Sequence, residues 1–275
     1  MPAVQLTEGT IDYEDTGGDG PVLVFLHGVV MDGTVWDPVV TELRRDHRCI
    51  VPTLPLGAHR HPMHNDADLS LRGFGRLVGE LLERLDLRDV TLIQNDHVAA
   101  LAHAVDNPSR VAKLVISSCE LFENYPPGLA GKTLRFMAMT PGGTFLGMQL
   151  LRLHPLRRLP NAYGWLSKRP LPDDLIDNWL RPLQTQRHIR RDLKRYAARA
   201  RRRAMLELCE RLESVDLPAL VVWTPEDRVA RPDHGRRLTE LLPDAHLVEI
   251  QDSYTLIMRD QPAAMAGAIR QFLLA

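Results

Sequence analysis

Asp96 lies where an apolar run, Val90 to Ile93, gives way to an Ala-rich helical segment. A residue at such a strand-to-helix turn projects above the end of the strand, and the positive end of the helix dipole favours a carboxylate there. Aspartate is also a common helix N-cap, which is the alternative interpretation. Asp96 is therefore a candidate nucleophile, general base or general acid.

Two other segments place polar groups just after apolar runs. A small residue after the first long run frees backbone N–H groups to face an oxyanion, although a glycine there is more often a simple turn. The residues concerned are His27, Gly28, Val29 and Val30. Asp227 follows a later run and is a candidate catalytic acid, or with equal weight a brace for its own loop.

Six short runs predict the strands that must position these groups. They are rich in β-branched residues and hardly alternate, which is typical of parallel strands covered on both faces. Helical patterns such as Leu77, Leu81, Leu82 and Leu85 lie between several of them. The alternation predicts an open α/β sheet with right-handed crossovers. The runs are Val22–Leu26, Cys49–Val51, Val90–Ile93, Leu114–Ile116, Leu220–Trp223 and Leu247–Ile250.

The alternation stops between about residues 125 and 211. Helical periods around Leu146 to Leu153 and Leu175 to Leu183, with no strand-like run, predict an inserted helical cap. We therefore expect a core of residues 1–124 and 212–275 and a cap of residues 125–211. The aromatic residues Tyr125, Trp165 and Trp179 could line a pocket or, more commonly, pack the cap itself.

Composition limits the function classes. The chain has 275 residues, a formal net charge of -1 and 44% hydrophobic residues, which suits a folded enzyme or small-molecule binder. The balanced charge argues against a nucleic-acid partner, and no apolar run is long enough to span a membrane. We expect a cytoplasmic monomer or homodimer with a small-molecule substrate and no cofactor, since no Gly-x-Gly-x-x-Gly follows a strand.

Two clusters favour structural over functional interpretations. The basic residues from Arg187 to Arg203 could bind an acidic partner, but a solvated helix face is the better prediction. His59, His61 and His64 could bind a metal, but they lie around Pro62 on an irregular loop without the spacing of a metal site. We predict a pocket-rim loop and no metal.

In order along the chain, these motifs resemble the α/β-hydrolase superfamily, in particular the haloalkane dehalogenases and epoxide hydrolases that use an aspartate nucleophile. The resemblance covers essentially the whole chain. It implies that Asp96 is the nucleophile, with the backbone N–H groups of His97 and Val29 in the oxyanion hole. It also places Asp227 at the family's acid position and Glu120 at an alternative acid position.

Two departures from the family pattern bear on mechanism. Where the family carries its catalytic histidine after the last strand, this chain has Tyr254 and Thr255, which we predict to contact the substrate. The small residues that normally flank the nucleophile are replaced by Gln94 and Val98, which should open or reshape the turn and displace the oxyanion hole. Thr255 could donate a hydroxyl to Asp227, although a polar turn residue is the simpler interpretation.

Losing the histidine matters because release of an ester intermediate needs an activated water. Our first hypothesis is an atypical enzyme of secondary metabolism in which Asp96 performs acid/base chemistry on a small, largely apolar molecule. Isomerisation, cyclisation, dehydration or elimination would fit. The alternatives are a dehalogenase-like or epoxide hydrolase-like hydrolase with a relocated histidine, chiefly His97, and a non-catalytic ligand receptor or carrier.

Overall fold

The computed structural model describes residues 1–126 and 128–274. Within them eight strands form one sheet in the order β1-β2-β4-β3-β5-β6-β7-β8. The pairs β1–β2 and β2–β4 are antiparallel and the other pairs are parallel. The strands are β1 (Ala3–Leu6), β2 (Gly9–Asp15), β3 (Val22–Leu26), β4 (Arg48–Pro52), β5 (Val90–Asp96), β6 (Val111–Cys119), β7 (Ala219–Trp223) and β8 (Ala245–Glu249). The predicted open α/β sheet is confirmed.

Helices flank this sheet, with α1 packed against α12 and α2 against α3. They are α1 (Asp37–Leu43), α2 (Leu71–Arg84), α3 (Ala99–Asp106), α4 (Gly128–Met139), α5 (Gly143–Leu150), α6 (His154–Arg157), α7 (Asp173–Thr185), α8 (Arg187–Arg199), α9 (Arg202–Cys209), α10 (Pro232–Leu241), α11 (Ile257–Asp260) and α12 (Pro262–Leu274).

The apolar runs became strands because they are buried on both faces. Every residue of β5 and β7 is buried, as expected for central parallel strands. Helix α2 shows the matching helical pattern, with Leu77, Leu81 and Leu82 buried and Ser70 accepting the Gly73 N–H at 3.1 Å as an N-cap. All six predicted strands are present, and the two described strands that were not predicted, β1 and β2, lie at one side of the sheet.

Residues 128–209 form the helical segment, which runs from α4 to α9 between β6 and β7. Its described residues contain no strand, as the sequence predicted. The division into 1–124, 125–211 and 212–275 remains a prediction, and Pro127 lies outside the described residues. None of the helices described is both long and apolar enough to cross a bilayer.

The basic run does more than solvate a helix face. Arg191 donates to the Met63 carbonyl and to Asp192 Oδ1, and Arg195 donates to the His64 carbonyl at 2.8 Å. Buried Asp192 also accepts the Met63 N–H at 2.9 Å. The run therefore fixes α8 to the loop around residues 59–68, and the prediction of a purely solvated face is wrong for these arginines.

Candidate active site

Asp96 ends β5 and turns the chain towards α3. Its φ of 63° lies in the left-handed region, which aspartate tolerates better than most residues. The turn is closed, since the His97 N–H donates to the Asn95 carbonyl at 2.7 Å and the Glu120 N–H donates to the Asp96 carbonyl at 2.9 Å. The ends of β5 and β6 thereby hold the Asp96 and Glu120 backbones side by side.

Gln94 explains why the turn does not open. Its buried side-chain oxygen accepts the N–H groups of Ala100 at 2.8 Å and Leu101 at 3.3 Å, so it caps α3 from the preceding strand. Val98, at the cap position, provides no such bond. Gln94 and Val98 therefore do not open the turn, because the amide takes over the role of an N-cap. The other expectation, a reshaped turn with a displaced oxyanion hole, agrees with the His97 N–H, which donates to the Asn95 carbonyl.

The Asp96 carboxyl group is held by the loop after β3. Its Oδ2 accepts the Val29 N–H at 2.8 Å, whereas its Oδ1 accepts no hydrogen bond from the described residues. A Cβ at Gly28 would lie 2.1 Å from this Oδ2, so only glycine fits beside the carboxylate. Val29 thus provides the expected amide, but the His97 N–H is committed to Asn95 and does not join it.

A cavity of about 110 Å³ opens above Asp96, between the sheet and the helical segment. Asp96, Glu120, Val29 and Val30 line it from the core, together with Val229. Apolar side chains supply most of the opposite wall, including Leu134, Met137, Met148, Leu151 and Ala197. A cavity of on the order of 150 Å³ is known to hold a benzene-sized ring, so this space suits a small apolar group.

Both carboxyl groups in the cavity have pKa values above those of ordinary acids. Burial raises the pKa of Asp96 to about 6, and the Val29 N–H partly opposes that shift. Burial raises the pKa of Glu120 well above its ordinary value, and the negative charge of Asp96 raises it further. The two acids therefore titrate as a pair in which Asp96 is the more acidic member.

Histidines are absent from the described lining of the cavity. The buried His97 ring packs against Phe74 and Tyr196, with ring centroids 4.7 and 5.5 Å away, and neither ring nitrogen has a hydrogen-bond partner among the described residues. His27 accepts the Leu54 N–H at its Nε2 and donates from Nδ1 to the Gly28 carbonyl, which fixes it as a neutral structural residue. The structure thus keeps both imidazoles away from a catalytic position.

The His97 site gives a prediction in which stability and activity separate. Burial lowers the pKa of His97 to about 3. Below pH 6.5 the His97 ring is therefore protonated in the unfolded chain but stays neutral in the folded chain until the pH approaches 3. Its contribution to stability is present above pH 6.5 and declines as the pH falls. Between pH 6.5 and 5 this amounts to about 2 kcal/mol.

When the pH is lowered from 8 to 5, we expect the unfolding free energy of His97→Phe to fall by about 2 kcal/mol less than that of wild type. Urea denaturation at the two pH values measures this difference. Comparing each protein with itself at two pH values cancels any packing change from the larger ring. Activity should stay within a few-fold of wild type. A relocated base at His97 predicts instead a loss of activity of about 100-fold or more.

Asp227 lies beside the cavity rather than in its described lining. Its Oδ1 accepts the Val229 and Ala230 N–H groups at 2.8 and 2.9 Å and the Thr255 hydroxyl at 2.8 Å. Burial raises the pKa of Asp227 to about 6, although these donors oppose the shift. Thr255 also offers its carbonyl to the Asn95 side chain at 2.8 Å, so this network braces the loops beneath the turn.

The aromatic residues divide between cavity and packing. Tyr125 lines the cavity, whereas Trp165 and Trp179 are outside its described lining. Trp179 instead donates its indole N–H to Asp32 at 3.0 Å, and Tyr254 packs under the Arg228 guanidinium. Tyr163, Tyr196 and Arg135 also line the cavity, from the helical segment, but no local motif in the sequence indicates them.

The three loop histidines bind separate partners. His59 meets Asp192 at 3.4 Å, His61 meets Asp12 at 3.1 Å, and His64 meets the Thr7 carbonyl at 3.0 Å. No group of three or more ligating side chains suited to a metal is found among the described residues. The loop lies outside the described cavity lining, so the pocket-rim interpretation is wrong.

Comparison with known proteins places this arrangement in context. Residues 23–268 match the model of the alpha/beta hydrolase family. The chain is 28% identical over 255 residues to a 2-hydroxy-6-oxononadienedioate/2-hydroxy-6-oxononatrienedioate hydrolase of Cupriavidus pinatubonensis, covering 88% of this chain and 82% of that protein. It is 26% identical over 290 residues to a cis-3-alkyl-4-alkyloxetan-2-one decarboxylase of Xanthomonas campestris, covering 96% and 92%. The structure of a putative ancestral haloalkane dehalogenase matches with a TM-score of 0.77 over 100% of both chains at 18% identity, a likeness of fold.

Proposed function

The chain belongs to the alpha/beta hydrolase family, and we propose that it is an enzyme that moves a proton within a small, largely apolar molecule, with Asp96 as general base and Glu120 as general acid. One observation carries the proposal. Two buried carboxyl groups, and no imidazole, face a single cavity in the described part of the chain. The helical segment acts as a cap over this cavity.

The two acids suit opposite halves of a proton transfer. Near pH 7 the Asp96 carboxyl, with a pKa of about 6, is mostly ionised and can take a proton from carbon or oxygen. Glu120, whose pKa is raised further by that charge, stays protonated and can give its proton to another atom of the same substrate. The sum of these steps is an isomerisation, or an elimination when the protonated atom leaves.

Hydrolysis through a covalent ester is less well supported. An ester on Asp96 must be cleaved by a water that a base has activated, and His27 and His97 are both committed elsewhere. A relative named as a decarboxylase supports the idea that this family accommodates reactions other than hydrolysis.

A second candidate is a dehalogenase-like or epoxide hydrolase-like enzyme. It is favoured by the way Asp96 is held, since Val29 binds Oδ2 and leaves Oδ1 free of hydrogen bonds from the described residues. That arrangement suits a nucleophilic carboxylate as well as a base.

Intact-protein mass spectrometry separates the two candidates. We expect no mass increase after incubation with 1-bromobutane, 1-chlorohexane, styrene oxide or 1,2-epoxyhexane. A nucleophilic Asp96 without a histidine would instead accumulate the ester, visible as a stoichiometric adduct that Asp96→Asn does not form. Such an adduct, mapped to Asp96, would overturn the acid/base proposal in favour of the second candidate.

A further inference from the structure

Arg135 is the one cation in the described lining of the cavity, and no described carboxylate is paired with it. Its Nη1 donates to the carbonyls of Ala200 at 2.6 Å and Ala197 at 3.3 Å, at the C-terminal end of α8. Its Nε and Nη2 donate to nothing in residues 1–126 and 128–274. One edge of the guanidinium is therefore anchored and the other is available.

Arg135 is unusual because it is partly buried without a paired carboxylate, as a comparison with Arg157 shows. Arg157 lies deeper in the same helical segment and is bound by the carboxylates of Asp173 and Asp177. A guanidinium removed from water normally takes such partners, because its five donors match the two oxygens of a carboxylate. Arg135 has the partly buried setting without the acid.

Arg135 and Tyr125 both line the cavity, and their charges and burial are linked. Burial raises the pKa of the Tyr125 hydroxyl, and the nearby positive charge of Arg135 opposes that shift. The negative charge of Asp96 raises the same pKa, so Tyr125 lies within electrostatic reach of both Arg135 and Asp96. The carboxyl groups and the guanidinium therefore share one cavity, with Tyr125 within electrostatic reach of each and apolar side chains such as Leu134 and Met137 alongside.

We propose that Arg135 is an anion subsite that binds a carboxylate of the substrate while its apolar body lies over Asp96 and Glu120. This inference rests on the cavity being the substrate site proposed above. Nε and Nη2 are the pair of donors with which a guanidinium grips a carboxylate side-on. The substrate class is then a small organic acid with an apolar chain or ring, and the anchored Nη1 limits how far the donor pair can move.

The test compares acids with neutral analogues of the same shape. Isothermal titration calorimetry with 4-phenylbutanoate against 4-phenylbutanamide, and with butanoate, hexanoate and octanoate against their amides, should show at least one acid binding at least ten times more tightly than its amide. Asp96→Asn should keep or increase this preference, because it removes a like charge from the cavity. Binding to that variant needs no turnover, so the subsite and the acid/base proposal can fail separately.

Two arginine variants complete the design. Arg135→Gln should bring the acid and amide affinities to within about twofold of each other, while Arg135→Lys keeps part of the preference. Arg190→Gln is the matched control, because Arg190 also donates to a helix-terminal carbonyl, that of Leu183 at 2.7 Å, but lies outside the described lining. The proposal is overturned if no acid in the series is preferred, including the case of no binding, or if Arg135→Gln keeps the preference.

Discussion

Replacing Asp96 by Asn is expected to lower kcat by about 100-fold to 10,000-fold while leaving the affinity for ligand within a few-fold of wild type. This range is the usual contribution of a general base. The amide is nearly isosteric with the carboxyl group, can still accept the Val29 N–H, and tolerates the left-handed conformation of residue 96. What it cannot do is accept a proton.

The variant should fold at least as stably as wild type at pH 8. Burial raises the pKa of Asp96 to about 6, so its ionised form costs stability above that pH, and Asn carries no such charge. A loss of activity with an undiminished unfolding free energy therefore cannot be ascribed to misfolding.

Asp89→Asn is the matched control. Asp89 also has a left-handed conformation, with a φ of 52°, but it is exposed and distant in the fold from the cavity lining. The same chemical change there should leave kcat unaltered. If Asp96→Asn turns over substrate as fast as wild type, Asp96 is neither base nor nucleophile. A different outcome, in which both proteins bind ligand saturably but form no product, would support the carrier hypothesis.

The core of this fold could be predicted from the sequence because its strands and helices have recognisable local patterns of apolar residues. Burial on both faces demands the apolar runs of β3 and β5, and an amphipathic face marks α2. Strand β2 was not predicted because it lies in the antiparallel part of the sheet, between β1 and β4. Several of its side chains, in the segment Gly9-Thr-Ile-Asp-Tyr-Glu-Asp15, are partly exposed there, so the strand needs no apolar run.

The residues of the candidate site also fall into two groups, those indicated by local sequence and those placed by tertiary packing. Asp96 and Glu120 follow strand ends and could be found along the chain, whereas Arg135 and Tyr196 reach the cavity only through the packing of α4 against α8. Gln94 shows the limit most clearly. Its size suggested an opened turn, but its amide caps α3 six residues later, a tertiary solution that spacing alone does not reveal.

Glu120 gives the second large effect, in the pH dependence of the reaction. If Asp96 must be ionised and Glu120 protonated in the free enzyme, kcat/KM should follow a bell. Activity rises as Asp96 loses its proton, around pH 6, and falls at higher pH as Glu120 loses its own. Because the charge on Asp96 raises the pKa of Glu120, the alkaline limb should lie well above the ordinary range of a glutamate, and the two limbs describe the pair rather than either acid alone.

Glu120→Gln tests this assignment, because glutamine keeps a neutral hydrogen-bond donor of the same shape but cannot release a proton. We expect kcat to fall by about 100-fold or more and the alkaline limb to disappear, while the rise near pH 6 persists because it belongs to Asp96. Glu123→Gln, at an ion-paired position three residues after Glu120 and outside the described cavity lining, should leave both limbs in place. An unchanged bell in Glu120→Gln would remove Glu120 as the acid and assign the alkaline limb to another group.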